Sequence, residues 1–313
     1  MNLIRVCFLG TPDFAVTHLQ ALLKNKNYEV VGVVTQPDRP AGRKMQLTPS
    51  PVKAAALQNN LKVITPENLR KDPESFKEIQ SWTASVAVVV AFGQILSQEF
   101  LDSFKFGAVN VHGSLLPKWR GAAPIQRSIQ AGDSETGVSL QKVVKKLDAG
   151  AVIGERRVIL NDEINATELY EKLSYLGCEL LDGELFAYLD GKLKPVEQDE
   201  AKVSLAPKIE KEESLIEWST TATAIHNKVR AFTMGPGTHV QFQGKRLKIH
   251  KTKVVNGISE KPSRIADVNE QTLVIETGKG LLSLLEVQPE SKAKLSIQDF
   301  LKSVSLKKGD LFV

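Results

Sequence analysis

Cysteine is almost missing. Two residues, Cys7 and Cys178, stand 171 positions apart in a chain of 313. No disulfide framework can be built from them, and such usage fits a reducing cytoplasm. The five histidines, His18, His112, His226, His239 and His250, show no ligand spacing, so no metal centre is expected. No apolar run approaches the roughly 18 residues of a spanning helix; the run Val86–Ala91 is strand-sized. The opening Met1-Asn-Leu-Ile-Arg5 lacks the basic, apolar and small-residue layout of a signal peptide. Absent too are G-x-G-x-x-G, a P-loop and G-x-S-x-G. Dinucleotide binding, P-loop phosphate chemistry and serine-nucleophile catalysis therefore have no support. The sequence shows neither an internal repeat nor a low-complexity tract. With 42% hydrophobic and 25% charged residues it is ordinary globular composition.

Hydrophobic patterning divides the chain. Up to about residue 190, short apolar runs alternate with helix-like stretches. Strands are expected at 4–9, 30–35, 86–91, 108–111, 136–142 and 152–158, and helices at 14–23, 51–58 and 97–104. A long helix is expected from Thr167 to about Leu189, with Asn165 or Thr167 as its cap and Glu168 as the capping-box acid. Near-continuous apolar strands separated by helices predict a Rossmann-like α/β domain. Its mostly parallel sheet would carry helices on both faces. Residues 191–206, polar with Pro195, read as a linker. After a helix at 220–232, five short strands between 239 and 287 follow, punctuated by Gly244, Gly257, Gly278 and Gly280. They predict a small OB-like β-barrel over 207–313. The whole net charge of +5 falls in that last part: residues 1–206 balance at 24 of each sign, and 207–313 carry 17 basic against 12 acidic. A local excess of this size suits a polyanionic partner or a merely basic surface.

Three places carry chemistry. Gln36 to Pro51 is too polar and proline-rich for a helix or strand, and follows the carboxyl end of a parallel strand, where α/β sheets hold ligands. Arg39, Arg43 and Lys44 make it an anion-gripping loop or a solvated one. In Asn110-Val-His-Gly-Ser-Leu-Leu-Pro117, Asn110 and His112 share a strand face at its carboxyl end. Histidine supplies acid–base function near neutral pH and asparagine a fixed N–H, so the pair could hold a developing oxyanion. Asp148, in the turn Lys146-Leu-Asp-Ala-Gly150, is a turn residue alone and an orienter of His112 if the two meet. Farther on, alternation sets Arg246, Lys248 and His250 on one strand face and Leu247 and Ile249 on the other. Such a face suits a phosphate backbone, or protects an edge strand.

These segments together resemble the methionyl-tRNA formyltransferase family along essentially the whole chain. The matching residues are Phe8-Leu-Gly-Thr-Pro-Asp-Phe-Ala15, Gln36-Pro-Asp-Arg-Pro-Ala-Gly-Arg43, Thr48-Pro-Ser-Pro-Val-Lys53 and Ala91-Phe-Gly93. To them are added Asn110 through Pro124, Leu147-Asp-Ala-Gly150 and Lys211-Glu-Glu-Ser214. The resemblance implies a catalytic domain at 1–190, a linker at 191–206 and a tRNA-binding domain at 207–313. It implies Asn110, His112 and Asp148 as the catalytic trio, and Ser114, Leu115, Leu116 and Pro117 as the folate-lining stretch. Arg43, with Arg39 and Lys44, would meet the tRNA acceptor end, and Arg246 and Lys248 the tRNA backbone. Its co-substrate would be 10-formyltetrahydrofolate, with no metal, and its acceptor the amino group of methionyl initiator tRNA. A cytoplasmic monomer away from membranes is expected. Two features depart from the family pattern: Lys44 where glycine is frequent, and Thr233-Met-Gly-Pro-Gly-Thr238 in place of a segment opening Asn-Pro. The competing readings are a formyltransferase for a small amine and a non-catalytic RNA-binding protein.

Overall fold

The structure, a computed structural model, describes residues 3–42 and 45–313. Its strands, in chain order, are β1 (Ile4–Gly10), β2 (Tyr28–Val34), β3 (Arg39–Ala41), β4 (Gln46–Thr48), β5 (Val63–Ile64) and β6 (Val86–Val90). There follow β7 (Ala108–His112), β8 (Arg120–Gly121), β9 (Glu135–Lys142), β10 (Val152–Ile159) and β11 (Leu205–Ala206). The last six are β12 (Thr238–Phe242), β13 (Lys245–Val255), β14 (Ile265–Val268), β15 (Leu273–Glu276), β16 (Leu281–Pro289) and β17 (Leu295–Ser296). None of the described helices is long and apolar enough to cross a membrane.

The chain forms two compact units. The first comprises Met1–Pro124, Thr136–Val158 and Tyr170–Ala206. Its seven-stranded sheet runs β10-β9-β7-β6-β1-β2-β5, parallel from β5 through β7 and antiparallel where β7 meets β9. All five residues of β6 are buried, as a strand covered on both faces requires. On one face Cys7, Leu9, Val34, Ala87, Val89 and Ala108 pack with Ile79, Trp82, Phe100 and Phe104. On the other lies the helix Asp13–Lys24, which contacts β1, β2 and β6. Its own charges suit its dipole, with Asp13 in the first turn and Lys24 in the last. The helix Pro51–Gln58 has proline at its start and Ser50 as its cap, the Oγ accepting from the Lys53 amide at 3.0 Å.

Three expectations need correction here. Residues 36–51 are not wholly irregular: β3 and β4 form a small hairpin pairing Arg39 with Thr48 and Ala41 with Gln46. Pattern reading misses it because three-residue strands with every residue of β4 exposed carry no apolar alternation. The loop base is fixed by Lys53 Nζ, which donates to both carboxylate oxygens of Asp38 at 2.8 and 2.9 Å. The stretch 191–206 is no free linker either. Val196 bridges Val152, and β11 pairs with β8, so the segment is built into the first unit. The long helix is interrupted as well. It runs as an α-helix over Ala166–Leu180, widens to a π-helix over Leu181–Leu185, and closes over Phe186–Leu189. Its start is as expected, with the Asn165 side chain accepting from the amides of Thr167 and Glu168 and Glu168 accepting from the Asn165 amide.

The second unit joins Ile125–Glu135 and Ile159–Leu169 to Pro207–Val313. Its antiparallel sheet runs β12-β13-β16-β15-β14, with β17 on β16. No pairing among the described residues joins β12 to β14 directly, but the chain's last residues lie between them: the Gln243 amide donates to the Val313 carbonyl at 2.9 Å, and the Phe312 amide to the Ser263 carbonyl at 2.8 Å. Val240, Leu247, Ile249, Ile275, Leu284 and Phe312 fill its core. Two buried or half-buried arginines hold the earlier segments. Arg127 forks onto both carboxylate oxygens of Glu213 at 2.7 and 2.9 Å and donates to the carbonyls of Pro207 and Lys208. Arg230 donates to the carbonyls of Asn161 and Ile164 and, twice, to Asn227 Oδ1.

Candidate active site

The chemistry-bearing residues meet at the carboxyl end of the parallel strands of the first unit. In β7 the side chains of Val109 and Val111 are buried in the apolar core, which leaves Asn110 and His112 together on the alternate face. Across the antiparallel pairing, Asn110 lies opposite Gln141 and His112 opposite Ser139. Directly opposed residues share a face, so one patch gathers Asn110, His112, Ser139 and Gln141, with Gly137 next along β9.

That patch shapes the loop after β7. Ser139 Oγ donates to the Ser114 carbonyl at 2.7 Å and accepts from the Leu116 amide at 3.1 Å. Leu115 lies over Gly137. A Cβ at 137 would stand 2.5 Å from Leu115 Cδ2 and 2.1 Å from the Arg156 carbonyl, so only glycine fits. Of the expected folate-lining stretch, Ser114 is fully buried, its hydroxyl donating to the Lys118 carbonyl at 2.6 Å, and Leu116 is nearly so. Leu115 and Pro117 are half-buried. Leu116 and Pro117 border a cleft of about 350 Å³ whose other walls are Val152–Glu155 and 196–199.

His112 Nε2 lies 2.9 Å from the Trp119 carbonyl, and Nδ1 lies 3.8 Å from Asp148 Oδ2. The two side chains are only 7% and 14% exposed. Nε2 thus donates to the Trp119 carbonyl, while Nδ1 faces the Asp148 carboxylate from beyond hydrogen-bond distance. The carboxylate is fixed in turn: Oδ2 accepts from the Gly121 amide at 2.9 Å and Oδ1 from Gln141 Nε2 at 3.1 Å. Asp148 has a left-handed backbone, φ 46°, which costs a non-glycine residue about 1 kcal/mol. Two residues on, a Cβ at Gly150 would be 1.8 Å from the Lys142 carbonyl, so the turn closes against β9 only with glycine. Sequence reading paired Asp148 with His112 but missed their support. Gln141 carried little signal, being one of several polar residues, with Thr136 and Ser139, buried in β9. Gln198, inside the supposed linker, carried none. Its Nε2 lies 2.8 Å from the Asp148 carbonyl and 2.7 Å from that of Gly150. Arg120, 2% exposed, holds its Oε1, and continues to Glu200 at 2.9 Å. Arg120 and then Lys146 hold the Glu200 carboxyl down to about 2.

The expected tRNA contacts are scattered. Arg39, on β3, is exposed and reaches Glu67 at 3.4 Å. Arg43 and Lys44 lie outside the described residues. Arg246 and Lys248 do face outward from β13, with Leu247 and Ile249 each 2% exposed beneath. One feature of that strand was not foreseen. Its pairing with β16 shifts between Ile249 and Thr252, and the phase of burial inverts, so that Thr252 is buried. Lys251 and Lys253 are thereby exposed as well.

Two family models match the chain: formyl transferase over residues 4–182 and formyl transferase C-terminal domain over 208–305. A methionyl-tRNA formyltransferase of Bdellovibrio bacteriovorus is 60% identical over 99% of both chains. One of Pediococcus pentosaceus is 42% identical over 96% of this chain and 94% of its own. Among solved structures, a sugar 3N-formyl transferase in the presence of dTDP and 5-N-formyl-THF superposes with a TM-score of 0.68. It is 22% identical, and the match covers 94% of this chain and 100% of that one, a likeness of fold. On two domain models that together match most of the chain and a near full-length relative at 60% identity, the chain belongs to the methionyl-tRNA formyltransferase family.

Proposed function

We propose that this protein transfers the formyl group of 10-formyltetrahydrofolate to the α-amino group of methionyl initiator tRNA, giving N-formylmethionyl-tRNA for translation initiation. The observation that carries the reading is the convergence of Asn110, His112 and Asp148 at the carboxyl end of the parallel strands, inside a family whose relatives bear that name. The trio would serve a small-amine formyltransferase as well, and it is the relative at 60% identity over 99% of the chain that favours methionyl-tRNA as acceptor; the trio speaks against an inert RNA-binding protein.

The geometry supports these roles. The neutral amine attacks the formyl carbon, a C–N bond forms, and the formyl oxygen takes up negative charge. The Asn110 amide supplies one fixed donor to that oxygen. His112, anchored at Nε2 by the Trp119 carbonyl, presents Nδ1. At 3.8 Å Nδ1 is too far for a full hydrogen bond to Asp148, which leaves its N–H available to the developing oxyanion. Asp148, held by Gly121 and Gln141, balances the imidazolium and accepts the amine proton, which passes to N10 as the C–N10 bond breaks. No covalent enzyme intermediate is needed. Leu115, Leu116 and Pro117, propped on Gly137 and Ser139, would offer the donor an apolar wall. The second unit would bind the tRNA backbone through Arg246, Lys248, Lys251 and Lys253, while Arg39, Arg43 and Lys44 meet the acceptor end. The reading implies a cytoplasmic enzyme and works with a monomer.

The test is to incubate purified protein with 10-formyltetrahydrofolate and initiator tRNA, charged with methionine or uncharged, and to detect formylmethionine after deacylation by mass spectrometry. Formylation of charged tRNA is expected. Transfer to small amines alone overturns the assignment.

A further inference from the structure

Gln198 has a bonding pattern too specific for a linker residue. Every partner of its Nε2 is an acceptor: the carbonyls of Asp148 and Gly150 at 2.8 and 2.7 Å, and Gln141 Oε1 at 3.3 Å. Every partner of its Oε1 is a donor: Arg120 Nε at 3.0 Å and Nη2 at 2.8 Å. Arg120 has no acceptor atom, so its position settles which way the amide points. The guanidinium is itself fixed, because β8 is paired to β11 and Glu200 takes up Nη2. Gln198 therefore spans the turn that carries Asp148, gripping it on both sides of Ala149. The same side chain touches Gln141, whose own amide holds the Asp148 carboxylate.

We propose that Gln198 is a positioning residue for formyl transfer, whose carboxamide, oriented by Arg120, holds the 148–150 turn so that the Asp148 carboxylate faces His112. The inference rests on the functional reading above and adds to it a residue that acts through the turn carrying Asp148. A left-handed backbone at a non-glycine residue such as Asp148, φ 46°, persists only where its surroundings hold it. A positioning role also specifies the chemistry at 198. A donor is needed toward the turn and an acceptor toward Arg120, and among side chains of that length only glutamine has both. Glutamate keeps the size and pairs better with Arg120, yet sets a carboxylate oxygen against two carbonyls.

The experiment compares Gln198→Ala and Gln198→Glu with the parent protein, each also combined with Asp148→Ala. Steady-state kinetics on charged initiator tRNA and 10-formyltetrahydrofolate are read together with hydrogen exchange over residues 143–151. Misplacing a reacting group by about 1 Å costs on the order of 10²-fold. We expect kcat to fall by about that factor in both single variants, with each KM within about threefold. Exchange in the turn should quicken in both. In the Asp148→Ala background either change at 198 should cost no more than about twofold further, since the group being positioned is gone. Recovery of the parental rate by Gln198→Glu would show that bulk and the charge of Arg120 are what matter, and would overturn the proposal. So would losses that multiply with Asp148→Ala, or exchange that does not change. A parent protein inactive on methionyl-tRNA would defeat the functional reading instead, and the exchange measurement would still decide whether Gln198 holds the turn.

Discussion

Replacing Asp148 by asparagine tests the core of the site with almost no change in shape. Two effects follow from the geometry. The first is Coulombic. An imidazolium and a carboxylate 3.8 Å apart, at an effective dielectric constant of about 20, attract by about 4 kcal/mol. Both side chains are largely out of water, so little is lost to screening. To the extent that the ring charge is fully felt only as the oxyanion forms, up to about 10³-fold in kcat is at stake. The second effect is a polarity mismatch. Both Asp148 oxygens accept, one from the Gly121 amide and one from Gln141 Nε2. In either orientation the asparagine NH₂ would confront one of those donors. Turning Gln141 over cures that contact but sets its NH₂ against Gln198 Nε2. A buried donor without an acceptor costs about 1–3 kcal/mol. Asp148→Asn should therefore lower kcat by about 10²- to 10³-fold, with modest changes in KM, and lower unfolding free energy in urea by about 1–2 kcal/mol. Combined with His112→Ala, which removes the ring the carboxylate serves, it should add less than about a factor of three. Turnover within about threefold of the parent, or losses that multiply, would refute the coupling of the two residues.

Gly137→Ala should destabilise the first unit by about 1–3 kcal/mol, because the new methyl meets the Arg156 carbonyl as well as Leu115. KM for the formyl donor should rise as the 114–117 loop shifts, and an unchanged KM would remove that loop from the donor site. On β13, Lys251→Ala should weaken tRNA binding as much as Lys248→Ala does, each lowering the salt slope by about one phosphate's worth. Filter binding at several salt concentrations would detect an inert Lys251 and so remove the bulge from the interface. His18, fully buried against the Phe14 carbonyl, has its pKa lowered by burial from 6.5 to about 4. Between those values the unfolded chain takes up a proton that the folded one refuses, so His18 costs stability as pH falls below 6.5. From pH 7 to 5 that amounts to about 2 kcal/mol. Urea unfolding of His18→Gln should show a pH dependence shallower by about that amount, and an equal slope would disprove it.

What the sequence disclosed, it disclosed through periodicity. Alternation set Asn110 and His112 on one face of a strand whose other residues are apolar, and the structure has them there. The parallel sheet was legible because a strand such as β6, buried on both faces, has to be apolar throughout. Periodicity says nothing about irregular backbone, and there the reading failed. Residues 191–206 are polar, and their attachment rests on Gln198, Arg120 and short pairings that no pattern records. Nor could alternation cross the bulge in β13. A single phase predicts Arg246, Lys248 and His250, and the shift after Ile249 adds Lys251 and Lys253.

The interleaving of the two units bears on how the protein is made. Residues 125–135 and 159–169 leave the ribosome long before Arg230, whose guanidinium is to hold the carbonyls of Asn161 and Ile164. Arg127 likewise waits for Glu213. During synthesis those early segments have nowhere to dock, and contacts spanning such separations close late. A nascent chain halted near residue 206 would carry two stretches of the second unit with their partners unmade. Synthesis of that unit is thus finished only when the last third arrives to collect what the first half has been holding.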